Sequence, residues 1–193
     1  LLEGGFGGRI YPVNPKAESI LGLKCYPRAS EIGERVDLAA IAIPAELVPE
    51  AAEDCGRAGV RCLVVISAGF REVGPEGAAL ERELVDVCRR HGMRLVGPNC
   101  LGIISAHANL NLSFAGPMPP KGGIGLISQS GAICSAILDW ASAFGVGLSY
   151  VASLGNKADL DEADFARLLA EDPHTKAIAG YIEDAKDGGK FLR

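Results

Sequence analysis

Residues 122–141 read GGIGLISQSGAICSAILDWA, and this stretch decides how the chain folds. An apolar run of strand type, residues 124–127, stops at Ser128, and a helical pattern of apolar residues begins close to Gly131. A buried strand that turns directly into a helix is typical of the βα units of parallel sheets. The junction therefore predicts an α/β fold with a helix start at the carboxyl end of a strand.

The same alternation of strands and helices continues along the chain on both sides of this junction. Strands are predicted at residues 9–13, 37–43, 61–67, 93–97, 124–128, 148–153 and 177–182. Apolar stripes predict three helices between them, and the stripe of the third helix, which includes Trp140 and Phe144, is expected to face the core. Gly145 is placed to end that helix in the left-handed conformation.

Proline and glycine crowd residues 114–123, FAGPMPPKGG, a composition that interrupts both helices and strands. We therefore expect a domain boundary near residue 120, with one domain over residues 1–119 and a second over residues 120–193. The sequence opens without methionine, as though inside a helix, and stops as though another helix were starting. It is expected to be a piece of a longer protein.

Composition argues against several classes of protein. The formal net charge of −5 and the lack of a basic stripe argue against nucleic acid as the main partner. No apolar run is long enough to cross a membrane and no signal peptide opens the chain, so a cytoplasmic protein is expected. The six cysteines have irregular spacing and no CxxC pair, which favours reduced core residues over a zinc site or disulfides. The histidines stand far apart and predict no metal site: His91, His107 and His174.

Turn-forming residues follow the first four predicted strands, where ligands of an open parallel sheet bind. These residues are Asn14, Pro15 and Lys16; Pro44 and Ala45; Ser67, Ala68, Gly69 and Phe70; and Asn99 and Cys100. Each group alone is compatible with ordinary turn chemistry. Together they predict a rim that holds an elongated ligand against backbone groups.

The strand end at residues 128–131 is the sharpest candidate for an anion site. The helix that follows begins with N–H groups that lack intrahelical partners and with a partial positive charge, a combination that binds phosphate. Gly131 permits close approach of a phosphate, and the hydroxyls of Ser128 and Ser130 can donate to its oxygens. An ordinary N-cap role for Ser130 is the alternative interpretation.

A hydrolase is a different interpretation of the same serine. Small residues stand two positions before and after Ser130, which is the steric need of the nucleophile elbow in an α/β-hydrolase. Asp159 or Asp161, followed by His174, gives the chain order of such a triad. The elbow glycines and an HGGG-type motif are missing, and His174 precedes a strand, so this interpretation is a distant alternative.

Two polar segments near the end of the chain also follow strands. In GNKADLD, residues 155–161, Asp161 can cap a helix, as can Asp164, but capping does not require Asn156 or Lys157. Glu183 ends the last predicted strand. Its carboxylate is either a solvated loop charge or a group aimed into the same cleft as the phosphate site.

Taken in order, seven motifs resemble the α portion of the ADP-forming acyl-CoA synthetases (acetate–CoA ligases), relatives of the succinyl-CoA synthetase α subunit. The motifs are VNP, IPAE, ISAGF, GPNCLG, ISQSGAI, SLGNKADLDEADF and YIEDAKDGGKFL, and they cover almost the whole chain. The resemblance implies an incomplete Rossmann-like CoA-binding domain over residues 1–119, which lacks its first strand. It implies the start of a flavodoxin-like ligase domain over residues 120–193, and parallel sheets in both domains.

The resemblance also assigns roles to residues. The CoA contacts of the family map onto the rim residues named above, with Asn99 and Cys100 near the thiol end. The phosphate-binding helix start maps onto Ser128, Ser130, Gly131 and Ala132, and Glu183 matches the carboxylate that interacts with the phosphorylated histidine. That histidine matches no position in this sequence, so this chain is expected to be inactive alone.

The reaction implied by the resemblance converts acyl-CoA, phosphate and ADP reversibly into free acid, CoA and ATP, through an acyl phosphate and a phosphohistidine. CoA and phosphate are the implied ligands of this chain. ATP or ADP with Mg²⁺ would be bound by an ATP-grasp β subunit or a fused β region, in an oligomer. Similar halves occur as CoA-binding regulatory modules of protein lysine acetyltransferases, which is the alternative, although IEDAKDGGKF looks closer to the active ligases.

Overall fold

The N-terminal segment departs from the predicted pattern in the computed structural model, which describes residues 1–192. The strand predicted at residues 9–13 is wrong, because only Val13 makes an isolated bridge, to Tyr26. Pro12 has no N–H to donate to a ladder, so this run does not extend into a sheet. A short antiparallel pair follows instead, β1 (Ser19–Ile20) and β2 (Leu23–Lys24).

The first sheet is parallel, and its three strands lie within predicted segments. They are β3 (Leu38–Ile41), β4 (Cys62–Val65) and β5 (Arg94–Val96), in the order β3-β4-β5. Helix α1 (Val48–Arg57) connects β3 to β4, and α2 (Pro75–His91) connects β4 to β5. The buried stripes of both helices join the strands in one apolar cluster, so this sheet has its own core.

The second sheet contains five strands and includes the junction of strand and helix at residues 128–131. They are β6 (Gly102–Ser105), β7 (Leu110–Ser113), β8 (Lys121–Ser128), β9 (Leu148–Ser153) and β10 (Ala177–Tyr181), in the order β10-β8-β9-β6-β7. Strands β8, β9 and β10 are parallel and are connected by α3 (Gly131–Phe144) and α4 (Glu162–Glu171). A short helix, α5 (Gly188–Phe191), comes last. The predicted α/β fold with parallel sheets is confirmed.

Strands β6 and β7 form an antiparallel hairpin that the sequence did not predict. β6 pairs with β9 on its other side, so the hairpin extends the second sheet beyond its parallel part. Gly102 makes this possible, because its φ is +114° and a Cβ there would collide with the carbonyl oxygen of Leu112. The sheet includes strands from both sides of residue 120, and the division into residues 1–119 and 120–193 stays a prediction.

A second apolar cluster joins the two sheets. It combines Val64 and Val96 from the first sheet with Ile103 and Ala152 from the second, and α4 adds Phe165. Each of these side chains is at most 6% exposed. Because the cluster contains side chains from both sheets, it fixes the strand ends of one sheet relative to those of the other.

The third helix is confirmed, but only part of its predicted apolar stripe, which also included Ala141, faces the core. Gly145 ends it with a φ of +67°, as predicted. Trp140 and Phe144 were expected in the core but are 54% and 70% exposed. The side chains that face the sheet are Cys134, Leu138 and Ala141. This helix is apolar on most of its circumference, so its sequence pattern does not define a single buried face.

The cysteines agree with the prediction of reduced core residues. All six are free thiols, and five of them are buried. Among residues 1–192, no group of three or more His, Cys, Asp or Glu side chains is arranged to hold a metal ion. Within the same range, no helix combines the length and apolar character that crossing a membrane requires.

Candidate functional site

A cavity of about 470 Å³ opens where the carboxyl ends of the parallel strands of both sheets meet. This volume is in the range of small-molecule sites. Apart from Phe114, which follows the antiparallel strand β7, its lining comes from the segments that follow β4, β5, β8, β9 and β10, as the rule for open parallel sheets predicts. The lining residues are Ile66, Ala68, Arg71, Asn99, Cys100, Leu101, Phe114, Gln129, Gly131, Gly155, Asn156, Lys157, Glu183 and Asp184.

The structure brings five of the predicted site residues together at this cavity. They are Ala68, Asn99, Cys100, Gly131 and Glu183. The other predicted residues are not among its lining: Asn14, Pro15, Lys16, Pro44, Ala45, Ser67, Gly69, Phe70, Ser128, Ser130 and Ala132. Members of the predicted CoA rim and of the predicted phosphate site therefore line one opening, although most of the predicted rim residues lie outside the cavity itself.

The start of α3 has the geometry of an anion site. The hydroxyl oxygen of Ser130 accepts a hydrogen bond from the Ile133 amide at 3.3 Å, so Ser130 is the N-cap. The amides of Gly131 and Ala132 donate to no acceptor within residues 1–192. A Cβ built on Gly131 would meet no atom within 4 Å, and Gly131 lines the cavity, so the space beside the helix start is open. The cavity is therefore bordered by a helix start with two backbone donors that have no partner and with the positive end of the dipole.

Ser128 does not take part in this site in the way the sequence suggested. Its side chain is fully buried, and its hydroxyl donates to the Ser130 carbonyl oxygen at 2.8 Å. It also accepts a hydrogen bond from the Ser130 amide at 3.2 Å. The prediction that Ser128 donates to a phosphate is corrected, because both functions of its hydroxyl are used inside the turn that precedes α3.

The rim after β4 is held together by its own hydrogen bonds. Ser67 joins the ends of β3 and β4, since its hydroxyl donates to the Ile43 carbonyl oxygen at 2.6 Å and accepts from the Ile43 amide at 3.1 Å. The amides of Gly69 and Phe70 donate to the Glu72 carboxylate at 2.6 and 3.1 Å. The Phe70 side chain is fully buried in the first core and does not line the cavity, so the ring is not available to a ligand there.

The remaining rim residues lie on the surface beyond the cavity. Asn14, Pro15 and Lys16 are exposed, and the Asn14 side chain accepts a hydrogen bond from the Lys16 amide at 2.9 Å. Pro44 precedes the 3₁₀ turn at Ala45–Leu47. Gly69 lies so close to this turn that a Cβ on it would be 2.9 Å from the Ala45 Cβ. The ends of β3 and β4 therefore form one continuous edge.

Cys100 lines the cavity as a neutral thiol. The side chain is 3% exposed, and its Sγ donates to the Val65 carbonyl oxygen at 3.3 Å. Burial raises the pKa of this thiol to about 12. A thiol with this pKa is not a nucleophile at neutral pH.

In the complete protein, we expect Cys100→Ala to leave a substantial rate of the acyl-CoA ligase reaction, because the reaction that the resemblance implies needs no cysteine nucleophile. Loss of the small buried side chain should lower the free energy of unfolding by about 1 kcal/mol. Steady-state assays and urea unfolding of the variant check both statements. A variant that folds normally but has no turnover would assign a chemical role to the thiol.

Lys157 is a buried lysine that the sequence left without a role. It is 1% exposed, and its Nζ lies 3.1 Å from Glu162 Oε2 and 2.8 Å from Asp184 Oδ1. The contact with Lys157 is the main cause that lowers the pKa of the Asp184 carboxyl. Lys157 therefore connects the segment after β9 to the loop after β10.

Gln129 holds the same loop from the other side. Its side-chain Oε1 accepts hydrogen bonds from the amides of Glu183 and Asp184 at 2.6 and 3.1 Å. Its Nε2 donates to the Asp184 carbonyl oxygen at 2.8 Å. Because Gln129 lies next to the N-cap of α3, this amide fixes the backbone of Glu183 relative to the helix start. The Glu183 side chain itself is exposed.

Asn156 connects the two halves of the cavity wall. Its Oδ1 accepts from Asn99 Nδ2 at 3.2 Å, and its Nδ2 donates to Glu72 at 2.6 Å and to Glu81 at 2.8 Å. Burial alone would raise the pKa of Glu72, but the hydrogen bonds from Asn156 and from three backbone amides lower it. Glycine is required next to Asn156, because a Cβ on Gly155 would collide with the carbonyl oxygens of residues 98 and 99.

The predicted helix cap is also confirmed. Asp161 accepts hydrogen bonds from the amides of Ala163 and Asp164, and the Asp164 side chain accepts from the Asp161 amide in return. Asp159 instead binds Arg94 Nε at 2.9 Å. These carboxylates therefore have structural partners outside the cavity.

His107 and His174 stand far apart in the sequence, but the structure stacks their rings on each other. Their ring centroids are 4.1 Å apart in a second cavity of about 140 Å³, where His174 also contacts Asp172 at 3.2 Å. Ser130 is not among the residues that line this cavity. The arrangement does not support the hydrolase interpretation, since His174 lines a cavity that Ser130 does not reach.

Arg71 and Gln129 are site residues that the sequence analysis missed. Each directly follows a predicted site residue, Phe70 or Ser128. The sequence shows only that each is a long polar side chain in a turn predicted to bind a ligand. That pattern does not distinguish a residue that contacts a ligand from one that is exposed to solvent.

Two family matches cover most of the chain. Residues 1–106 match the CoA binding domain, and residues 121–193 match the succinyl-CoA ligase like flavodoxin domain. The acetate–CoA ligase (ADP-forming) I of Archaeoglobus fulgidus is 55% identical over 188 residues, which are 97% of this chain and 27% of that protein. The α subunit of acetate–CoA ligase (ADP-forming) I of Pyrococcus furiosus is 43% identical, over 100% of this chain and 42% of the subunit.

A solved structure agrees with these matches. The acetyl-coenzyme A synthetase 1 of Candidatus Korarchaeum cryptofilum in its apo form superimposes with a TM-score of 0.95 at 42% identity. The match covers 100% of this chain and 42% of that chain. A second structure of that enzyme, with phosphate and ADP, has the same TM-score. This chain spans less than half the length of these relatives, and it belongs to the α portion of the ADP-forming acyl-CoA synthetase (acetate–CoA ligase) family.

Proposed function

We propose that this chain is the CoA- and phosphate-binding part of an ADP-forming acid–CoA ligase. The complete enzyme interconverts acyl-CoA, phosphate and ADP with the free acid, CoA and ATP, through an acyl phosphate and a phosphohistidine. The observation that carries the proposal is the cavity that joins the open start of α3 to Asn99 and Glu183. A phosphate and a thioester can meet there.

CoA would lie along the edge formed by the rim residues. Its elongated part would pass the surface at residues 14–16 and 44–45 and the turn at 67–69, and its thiol end would reach Asn99 and Cys100. The close approach of Gly69 to Ala45 supports a continuous path along this edge. Backbone groups supply most of the contacts, which suits a ligand recognised by its shape and phosphates.

Phosphate would bind at the start of α3. The amides of Gly131 and Ala132 donate to its oxygens, and Gly131 leaves room for them. When a phosphate oxygen attacks the thioester carbonyl, negative charge develops on the carbonyl oxygen and the CoA thiolate leaves. Preorganised N–H dipoles stabilise such charge without reorganisation, which is the chemical contribution of this helix start.

Glu183 would orient the imidazole that accepts the phosphoryl group. The loop that carries Glu183 is fixed to the helix start by Gln129 and to the β9 segment by Lys157. The histidine itself would come from another region of the complete protein, since no histidine of this chain lines the cavity described above. A carboxylate beside an imidazole selects its tautomer and supports its charged form.

The nucleotide and Mg²⁺ would be bound by an ATP-grasp region, either fused or in a β subunit, within a cytoplasmic oligomer. The Pyrococcus furiosus relative is named as a subunit α, which supports a separate partner chain. The Korarchaeum enzyme was solved with phosphate and ADP, which supports the use of both ligands. The relatives described above are ligases, so the alternative of an acetyltransferase module receives no support.

The phosphate site is tested by Gly131→Asp in the complete protein. A carboxylate at the first helical position favours the helix, because it faces the positive end of the dipole, so stability should be kept. The same carboxylate repels phosphate, and the KM for phosphate should rise about 30- to 100-fold.

Ala136→Asp is the matched control, because residue 136 is exposed on the same helix and lies beyond its first turn. It should leave the KM for phosphate unchanged. An unchanged KM in Gly131→Asp, with normal thermal stability, would contradict the proposed position of phosphate.

A further inference from the structure

If the helix start were the only positive group, the charges around the cavity would not balance the negative charge of a bound phosphate. Two carboxylates, Glu183 and Asp184, line the cavity. Lys157 also lines it, but this residue is 1% exposed and its ammonium group is paired with Glu162 and Asp184. The lining therefore offers a phosphate two carboxylates, which repel it, and no unpaired ammonium group that would attract it.

The magnitudes make the deficit clear. A phosphate group carries a charge of about −1.5 to −2 at neutral pH. The start of a helix is equivalent to about +0.5. A further full positive charge is needed for a favourable balance in a cavity that already contains two acidic side chains.

Arg71 is placed to supply that charge. It lies in the 3₁₀ turn Arg71–Val73 after β4, lines the cavity and is 39% exposed. Its nearest carboxylate contact joins Nε to Glu81 Oε1 at 3.8 Å, which is longer than a hydrogen bond. Its guanidinium donates no hydrogen bond to any group in the part of the chain that the structure describes, residues 1–192. The planar fork of Arg71 is therefore available to a ligand.

The position of Arg71 relative to the other charges agrees with this role. Its field is one of the smaller causes that lower the pKa of Asp184, after the contacts with Lys157, so Arg71 faces the loop after β10. Glu81 is 9% exposed at its side chain and also accepts a hydrogen bond from Asn156 at 2.8 Å. Glu81 therefore steadies the base of the guanidinium without occupying its terminal nitrogens.

We propose that Arg71 is a phosphate-binding residue of this site, whose guanidinium fork takes the phosphate oxygens that face away from the amides of Gly131 and Ala132. This inference rests on the proposed function and adds a residue to it. Bidentate arginine contacts to phosphate are short and charge-assisted. Arg71 would also hold the acyl phosphate when it forms, since that product keeps three of the four phosphate oxygens free of a bond to carbon.

The test compares Arg71→Met, Arg71→Lys and Arg82→Met in the complete protein. Arg82 is an exposed arginine on α2 and does not line the cavity, so it is the matched control. Three quantities are measured for each variant: the KM for phosphate and the KM for acyl-CoA in the direction that forms acyl phosphate, and the Kd for inorganic phosphate by calorimetry.

Arg71→Met should raise the KM and Kd for phosphate about 10- to 100-fold, which is the loss expected for a charge-assisted pair. Arg71→Lys keeps the charge without the fork and should lie between Arg71→Met and the wild type. The KM for acyl-CoA should stay the same in both variants. A purely structural role of Arg71 would change the constants for both ligands together.

The outcomes separate the two proposals. Unchanged phosphate constants in Arg71→Met, with wild-type ligase activity present, would overturn the role of Arg71 and keep the proposed function. Wild-type protein that binds phosphate through Arg71 but shows no ligase reaction would overturn the proposed function alone. Wild-type protein that does not bind inorganic phosphate at all would overturn both.

Discussion

Lys157→Met is expected to lower the free energy of unfolding by about 3–5 kcal/mol, which is the cost of leaving one member of a buried ion pair without its partner. Glu162 is the group left behind, with a side chain that is 3% exposed. Methionine has nearly the length of lysine, so the change removes the charge without opening a large cavity. Urea unfolding of the variant and the wild type measures the difference.

Backbone strain does not enter this comparison. Lys157 has a φ of +42°, in the left-handed region, and methionine would occupy it at the same cost as lysine. The contact with Asp184 contributes less than that with Glu162, because the Asp184 side chain is 70% exposed. The predicted loss is therefore mainly the uncompensated charge of Glu162.

Two further variants make the interpretation specific. In Lys157→Met combined with Glu162→Gln, both charges are absent, and much of the lost stability should return. Lys121→Met changes an exposed lysine and should stay within about 0.5 kcal/mol of the wild type. A double variant as unstable as Lys157→Met would show that the charge of Glu162 is not the cause.

Glu183→Gln should reduce phosphoenzyme formation about 10²- to 10⁴-fold in the complete protein, while the thermal midpoint stays the same. The structure separates the two quantities, because the backbone amide of Glu183, not its carboxylate, binds Gln129. Glutamine keeps the size of the side chain but cannot stabilise a charged imidazole, and correctly placed acid–base groups contribute factors of this size. Labelling with radioactive ATP measures the phosphoenzyme.

Glu171→Gln is the control for this experiment, since Glu171 is an exposed carboxylate at the end of α4. It should label like the wild type. If Glu183→Gln also labels like the wild type, Glu183 is a solvated loop charge and has no part in phosphoryl transfer.

The sequence predicted the elements that depend on local pattern. The strand, turn and helix at residues 124–144 and the left-handed Gly145 follow from periodicity and from the special conformation of glycine. The rule for strand ends predicted ligand-binding positions at Asn99 and Gly131 and allowed one at Glu183, and these three residues line one cavity. Topology carries this information, and no side-chain detail is needed.

The parts that the sequence did not predict depend on contacts between distant residues. Lys157 binds Asp184, 27 residues away, and Asn156 binds Glu72, 84 residues away. His107 stacks on His174 although no spacing in the sequence relates them. Ser128 and Ser130 stand close in sequence, but only coordinates reveal that the first hydroxyl points into the turn. The contact between Asn156 and Glu72 follows from the packing of the two sheets on each other, and the contacts of Lys157 and His107 follow from the strand order within the second sheet. No local pattern encodes either of these.

The hairpin of β6 and β7 has a consequence for how this molecule can be divided or recombined. A cut at residue 120 would leave the edge of β9 without β6, its hydrogen-bonded neighbour, and would expose a row of backbone groups that attract other strands. If the N-terminal part of the chain were replaced by that of a relative, the second sheet would keep all its own strands only if the exchanged segment ended before Gly102. The unit of exchange in this architecture is therefore set by strand pairing, and the loop rich in proline and glycine is a poor guide to it.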